Sequence, residues 1–405
     1  MTRMGCDSAQ GSRSPRFVHV MGADAYGVAS CECELLAELA RRGFDAQLVV
    51  YERSGGTSST GSRLPRAGVP VWSVPFARLP RWCRPRLAFR LLDLVRLNRA
   101  LRVCSPDLIH SHSLLGFLAA LPLRLVRGVP IVATIHGLLG RWDWEEGIYR
   151  VLAAAATRAV VLKDDDRQVI ARLASGRRIV SLRNGINVEA WAESAREASD
   201  LRRDLEIPES AFVIGLAGRL SAEKRQDVFL EEMIGHDWEG PIETHVLLAG
   251  EGNLAERIST VSRAGGFGKH VHMLGYRNDM PRVYKSVDVL ALPSLRDTQP
   301  MVVLEAMACG VPVVAAAIGG VPDLLAEGAG LLVPPDRLDL MSELVRSLRD
   351  DPDRRRDIAR AGRRRVSEWF DVRIVCSDYV DRLLVPLCRG RKWLDVGSSE
   401  EAFDA

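Results

Sequence analysis

Two carboxylates and two cations have the types and spacing to do chemistry on a phosphate-bearing ligand. Asp297 and Glu305 have seven residues between them in the stretch VDVLALPSLRDTQPMVVLEAMACGVPVVAAAIGGVPD, residues 287–323. Asp297 falls in a loop, and Glu305 falls about one turn inside the helix that Pro300 opens. Proline is tolerated there because the first N–H groups of a helix have no partner within it. Those free N–H groups and the positive dipole end around Met301 and Val302 suit an anion. Glu305 stands among Val, Leu and Met, where a carboxylate needs a partner, either a ligand or an Arg or Lys salt bridge. Upstream, Gly218-Arg219-Leu220 and then Lys224 follow an apolar run. Arginine can fork onto two oxygens and lysine supplies a point charge, so the pair suits a diphosphate, with a solvated charged loop as the competing reading.

Histidines and glycines form a second set. His136 closes the apolar run VPIVATIH and precedes Gly137. By position alone, a structural role competes with a functional one. His110 and His112 flank Ser111 on a strand and read as core residues or as support behind a site. Gly250-Glu251-Gly252 follows another apolar run, either as a ligand contact or as a plain strand-to-helix turn.

The elements that position these groups alternate between apolar strand runs and helices. In the first half the strands are Phe17–Met21, Ala46–Tyr51, Val69–Val74, Leu108–His112, Ile131–His136 and Ala159–Leu162. Helices Ser30–Arg42, Pro85–Cys104, Leu114–Arg127 and Glu145–Thr157 lie between them, and 53–63 reads as a mobile loop. The second half repeats the pattern with strands at Phe212–Ala217, His245–Ala249, Val271–Leu274, Val287–Leu292, Pro312–Ala317 and Leu331–Val333. This predicts an α/β protein of two Rossmann-like, doubly wound parallel-sheet domains facing across a cleft, with ligands beyond the carboxyl ends of the strands. The expected division is a disordered tail at 1–15, domains at 16–190 and 191–371, and a helix with a tail at 372–405. The polar, acidic stretch 189–206 reads as the linker.

Composition excludes several classes. The chain has 405 residues, is 47% hydrophobic and 26% charged, and carries a formal net charge of +3, which calls for no nucleic acid. Its eight cysteines show no CxxC pair and no zinc spacing, and read as inert thiols in a reducing cytoplasm. No apolar run reaches the ~18 residues of a membrane span. Residues 78–102 are basic and apolar with one acid, Asp93. They read either as a domain helix with a cationic solvent face or as an interfacial patch drawn to anionic lipid.

Taken in order, GLAGRLSAEKRQD, LAGEG, LGY and PSLRDTQPMVVLEAMACGVPVVAAAIGGVPDLL resemble the C-terminal domain of family 4 retaining glycosyltransferases of the GT-B fold. PDLIHSHS, VPIVATIHG and RNGIN are similar, more weakly, to first-domain segments, so the resemblance spans about residues 16 to 385. It implies a donor that is a nucleotide-diphosphate sugar, an acceptor that is a glycan, a lipid-linked or a small molecule, and no cofactor or metal. Asp297 would hydrogen-bond the donor sugar and Glu305 the ribose. Arg219 and Lys224 would hold the diphosphate, together with the N–H groups at Met301 and Val302, while Gly218, Glu251 and Gly252 would line the donor site. His136 would face the transferred sugar, and Gly22 would sit on the loop closing over both substrates.

The chain also departs from the family. Asp297-Thr-Gln-Pro stands where glutamate and a glycine-rich turn are usual; aspartate is one methylene shorter, so either the loop moves or the sugar contact differs, and Gln299, before Pro300, is expected to supply an added donor or acceptor. The first-domain loop reads Gly-Ala-Asp-Ala-Tyr-Gly, which brings Asp24, Tyr26 and Gly27 toward the acceptor. The expectation is therefore a retaining, metal-independent glycosyltransferase of polysaccharide biosynthesis, cytoplasmic or peripheral at the inner membrane face. The alternatives are a catalytically silent nucleotide-sugar binder and, behind it, a nucleotide-sugar epimerase.

Overall fold

The computed structural model describes residues 14–22, 26–53, 69–76, 86–136, 147, 151–171, 178–235, 242–264 and 267–388. Among them two sheets form, every strand pairing being parallel. The first holds β1 (Arg16–Gly22), β2 (Asp45–Arg53), β3 (Val71–Phe76), β4 (Leu108–Ser111), β5 (Ile131–Ile135), β6 (Arg158–Val161) and β7 (Ile179–Ser181), in the order β3-β2-β1-β4-β5-β6-β7. The second holds β8 (Phe212–Ala217), β9 (Thr244–Ala249), β10 (Val271–Gly275), β11 (Val289–Leu292), β12 (Val313–Ala316) and β13 (Leu331–Val333), in the order β10-β9-β8-β11-β12-β13. The expected pair of doubly wound domains is the observed architecture. Strands such as β8 are buried along their whole length, so they read as continuous apolar runs rather than alternating ones. Strand order reverses between β1 and β4 and between β8 and β11, and such switch points open the crevices where ligands sit.

Local sequence explains the helices that frame these crevices. Helix Leu114–Arg127 starts where Ser113 accepts from the Gly116 N–H, and it stops at Gly128, which is left-handed at φ 67°. Helix Met301–Ala308 has Pro300 at its N-cap and no side-chain cap, leaving its first N–H groups open.

Some expectations are corrected. The stretch 189–206 is no linker. Helix Val188–Glu197 is capped by Asn187, which accepts from the Ala190 N–H, and it buries Val188, Ala192 and Ala195. Small alanines at helical spacing make an apolar face that a search for large anchors overlooks. A second short helix, Leu201–Asp204, follows. Strand β7 and helix Asp164–Ala171 are additional, and the short helix near Asp323 begins earlier, at Val321. The readings for 1–13 and 54–63, and residues 145, 146 and 148–150 of the helix expected at Glu145–Thr157, lie outside the described residues; 151–155 are helical as expected.

The chain crosses back after helix Pro352–Trp369. The Ile186 N–H donates to the Phe370 carbonyl at 2.9 Å, and the Val372 N–H donates to the Ile186 carbonyl at 2.9 Å. Helix Val372–Tyr379 then packs into the first domain, where Cys376, Tyr379, Leu383 and Leu384 share a core with Leu35, Leu36 and Leu39. Burial of each such leucine stabilises this docking by roughly 1.5–3 kcal/mol. A π-helical turn, Val380–Leu384, follows Tyr379. No helix among the described residues is long and apolar enough to cross a membrane.

Candidate active site

The second-domain wall is built at the β8/β11 switch point. The loop after β8 carries Gly218, Arg219 and Lys224, and the loop after β11 carries Asp297. The Lys224 ammonium is ion-paired with the Asp297 carboxylate, both partly buried, while Arg219 is exposed. Backbone contacts fix these loops. Gly218 donates to the Ala249 carbonyl at 2.9 Å, Leu220 to the Glu251 carbonyl at 2.9 Å, and Gly250 to the Gly275 carbonyl at 2.8 Å. Only glycine fits at 250, where φ is 153° and a Cβ would lie 1.9 Å from the Gly218 oxygen. Glycine is also required at 319 (φ 50°), where a Cβ would lie 1.8 Å from the Asp297 backbone carbonyl oxygen, so the turn after β12 can brace the Asp297 loop.

Glu305 is buried at 7% exposure and accepts from the Tyr284 hydroxyl at 2.7 Å. Burial, and then the neighbouring carboxylate, push the Tyr284 phenol well above its ordinary value, so it stays a donor. A tyrosine is thus one partner of this carboxylate, where sequence suggested Arg, Lys or a ligand. Met301 is buried and Val302 partly so at the open helix end.

Gln299 turns out to bridge the cleft. Its Oε1 accepts from the Asn184 N–H of the first domain at 2.6 Å, and the Asn184 side chain reaches the Gln299 carbonyl at 3.4 Å. Thr298 donates to the carbonyl of His136. The segment that departs from the family pattern is therefore the segment that ties the walls together.

The first-domain wall is a chain of histidines, His19 and His110 within β1 and β4 and His112 and His136 just past the ends of β4 and β5. His112 Nδ1 lies 3.1 Å from His136 Nε2, and His112 Nε2 lies 3.3 Å from the Glu32 carboxylate. His19 Nδ1 contacts the same Glu32 oxygen at 2.7 Å, and His19 Nε2 lies 3.2 Å from the Tyr379 hydroxyl. His110 Nδ1 meets that hydroxyl at 2.9 Å, and His110 Nε2 meets Thr134 Oγ1 at 2.6 Å. Parallel pairing places His19 beside His110, and spacing of two puts His112 on the same face as His110. Desolvation lowers the pKa of His19, of His110 well below its ordinary value, and of His136 to about 3. Glu32 is likewise desolvated, which acts to raise it, but His112 and His19 together hold it well below the carboxylate range.

Sequence reasoning reached His136, and read His110 and His112 as lying behind it, but it missed His19, Glu32 and Tyr379. The in-register histidines of β1 and β4 were a usable signal; Tyr379 arrives from 269 residues beyond His110 and was not. Gly22 ends β1 beside Tyr51. Asp24 lies outside the described residues, and Tyr26 and Gly27 open helix Tyr26–Arg41, of which only the backbone is described there. Glu251 and Gly252 are exposed at the end of β9. The described cysteines are free, with thiols raised by burial, as inert thiols require. On helix Arg86–Cys104, Leu91, Leu92, Val95 and Val103 are exposed while Leu97 and Leu101 are buried; residues 78–85 lie outside the described set.

The family model for glycosyl transferases group 1 matches residues 197–365, and that for glycosyltransferase family 4 matches 26–190. The alpha-maltose-1-phosphate synthase of Mycolicibacterium smegmatis is 32% identical over 320 residues, 67% of this chain and 80% of that protein. The D-inositol 3-phosphate glycosyltransferase of Saccharomonospora viridis is 29% identical over 351 residues, 77% of this chain and 78% of that protein. The Escherichia coli UDP-Gal:alpha-D-GlcNAc-diphosphoundecaprenol alpha-1,3-galactosyltransferase is 26% identical over 289 residues, 67% of this chain and 74% of that protein. Among solved structures, Anabaena HepE in complex with UDP and glucose superposes with a TM-score of 0.75 at 19% identity, covering 92% of this chain and 100% of that one.

Proposed function

The chain belongs to the family 4 glycosyltransferases, and from that premise we propose that it moves a hexosyl group from a nucleotide-diphosphate sugar to a glycan or lipid-linked acceptor, with retention and without a metal. Relatives named for UDP-galactose and GDP-mannose donors, and a structural neighbour bound to UDP, support such a donor. The observation that carries the reading is the Lys224–Asp297 pair at the β8/β11 switch point, beside the uncapped end of helix Met301–Ala308.

Departure of the nucleoside diphosphate breaks the bond from the anomeric carbon to the phosphate oxygen, and negative charge grows on that oxygen. Lys224, Arg219 and the N–H groups at Met301 and Val302 are fixed positive poles for it, which stabilises the transition state more than the ground state. Asp297 pairs with Lys224 in the free enzyme and, with donor present, accepts from sugar hydroxyls. Glu305, kept close by Tyr284, accepts from the ribose. The acceptor oxygen attacks the same face from which the diphosphate leaves, and its proton passes to the departing phosphate oxygen, so no protein base is required. His136 faces the transferred sugar from the other wall. The exposed leucines and valines of helix Arg86–Cys104, interspersed with arginines, support a peripheral contact with anionic lipid.

The test is to screen UDP-, GDP- and ADP-hexoses by thermal shift, then assay hydrolysis and transfer. The expected result is one nucleotide class that raises the melting temperature and is turned over, with turnover lost in Asp297→Ala. Tight donor binding with no turnover on any acceptor would favour the silent-binder alternative.

A further inference from the structure

Glu32 is a buried carboxylate on helix Tyr26–Arg41, and the transfer chemistry above makes no use of it. It contacts His19 Nδ1 and His112 Nε2 through one oxygen. An ionised carboxylate only accepts, and a bare ring nitrogen set 3.3 Å from it would be repelled, so both nitrogens carry protons; the 3.4 Å between His112 Nε2 and His19 Nδ1 is then the separation of two N–H groups turned to one oxygen. With His112 protonated at Nε2, its Nδ1 is bare and can only accept, so the hydrogen between His112 Nδ1 and His136 Nε2 sits on His136. In the other direction, a bare His19 Nε2 takes the Tyr379 hydrogen, the Tyr379 oxygen accepts from His110 Nδ1, and the Thr134 hydroxyl donates to His110 Nε2. In this order every N–H and O–H of the chain has an acceptor among the described residues. Were His112 doubly protonated, His136 would carry its hydrogen on Nδ1, which has no acceptor among the described residues. The types and spacing of His19, Glu32, His110 and His112 would also suit a metal ion. Each of their ring nitrogens already has a hydrogen-bond partner, so proton order accounts for the cluster without a cation.

We propose that Glu32, acting through His112, is a positioning residue that fixes the proton of His136 on Nε2. His136 then meets the donor sugar with a bare Nδ1 that accepts a hydroxyl hydrogen. The second half of this statement rests on the reading of His136 as the sugar-facing residue; the proton order does not. The ring is aimed from behind by Glu32 and His112 and from across the cleft by Thr298, which holds the His136 carbonyl. A histidine whose tautomer is preset has no proton to rearrange when the sugar arrives.

The test uses the full chain labelled with 15N-histidine, read by long-range 1H–15N spectra at pH 8, with His136 assigned by the signal lost in His136→Asn. The expected wild-type pattern is a pyrrole-like Nε2 and a pyridine-like Nδ1. In Glu32→Gln, whose amide can donate as well as accept, the His136 signals become averaged or reversed. The kcat then falls about tenfold, with donor KM changed less than about twofold. Tyr379→Phe cuts the chain on the far side of Glu32 and leaves the His136 pattern in place. A wild-type His136 protonated on Nδ1 overturns the proposal without any variant having to fold, and so does an unchanged pattern in Glu32→Gln. If the pattern and its loss are both seen while no donor is turned over, the positioning stands and the transferase reading falls.

Discussion

On the second-domain wall the candidate groups are charged and their partners can be exchanged; on the first-domain wall His19, His110 and His136 are neutral and belong to one hydrogen-bonded chain. Lys224 and Asp297 form an ion pair, which in the proposed reaction the donor divides between its diphosphate and its sugar. His19, His110 and His136 are kept neutral by burial around the single carboxylate of Glu32. The contrast fits the proposed reaction. Charge develops on the leaving diphosphate, so cations belong there. The sugar stays uncharged apart from its anomeric centre, so neutral acceptors in a fixed order belong opposite. A second histidine group, His245, His270 and His272 with Glu243, lies at the amino ends of β9 and β10, away from the cleft. Residue type alone therefore does not mark the site; the end of the sheet does.

The sharpest way to break this contrast is Lys224→Ala. Loss of a fixed cation from the leaving-group side is expected to lower kcat by roughly 10²–10³, as for other preorganised charge-stabilising groups. Steady-state kinetics with saturating donor check it, and a change in KM alone would assign Lys224 to ground-state binding.

The neutral wall carries a pH signature of intermediate size. His19, His110 and His136 bind protons less readily when folded than when unfolded, so below pH 6.5 the unfolded chain holds more protons at these rings and stability falls with pH. For His136 this window runs from 6.5 down to about 3. Each such ring contributes about 1.4 kcal/mol per pH unit within its window. Glu32 has the opposite character: its folded value lies well below 4.5, so the stability it gives persists through mild acid and is lost only lower. Chemical denaturation at pH 7.5 and 5.5 should show a marked loss at the lower value; equal stabilities would mean the rings are not held neutral.

The smallest effect belongs to the bridge between the walls. Gln299→Ala removes the acceptor of the Asn184 N–H, costing the closed arrangement about 1 kcal/mol, or roughly a fivefold shift toward open forms. Small-angle scattering of the free enzyme should give a larger radius of gyration that donor restores. An unchanged radius would mean that Thr298 and the Phe370–Val372 crossover hold the closure without it.

Much of the fold was legible because buried parallel strands are continuous apolar runs and their loops carry glycine and proline. Strands β8 and β13 were read to the residue, and Met301–Ala308 to within one residue, since Pro300 and Gly310 bracket it. The helix at Val188–Glu197 was hidden because alanines bury little area and acidic residues dominate its composition. Asp297, Lys224 and Glu305 were legible as charges next to apolar segments, where an ionic group needs a reason to be. Their partners were not, since pairing Glu305 with Tyr284 or Gln299 with Asn184 depends on how separate segments meet.

By itself, the sequence determined the local order: which runs are strands, where helices begin, and which residues stand at the strand ends. These follow from hydrophobic period, capping and backbone freedom, which act over a few residues. Only the tertiary structure decided the proton order of the first wall and the bridges across the cleft. Glu32, His112, His136 and Tyr379 come from four separate elements. A hydrogen bond among them depends on tenths of an ångström, which packing sets and no local pattern encodes.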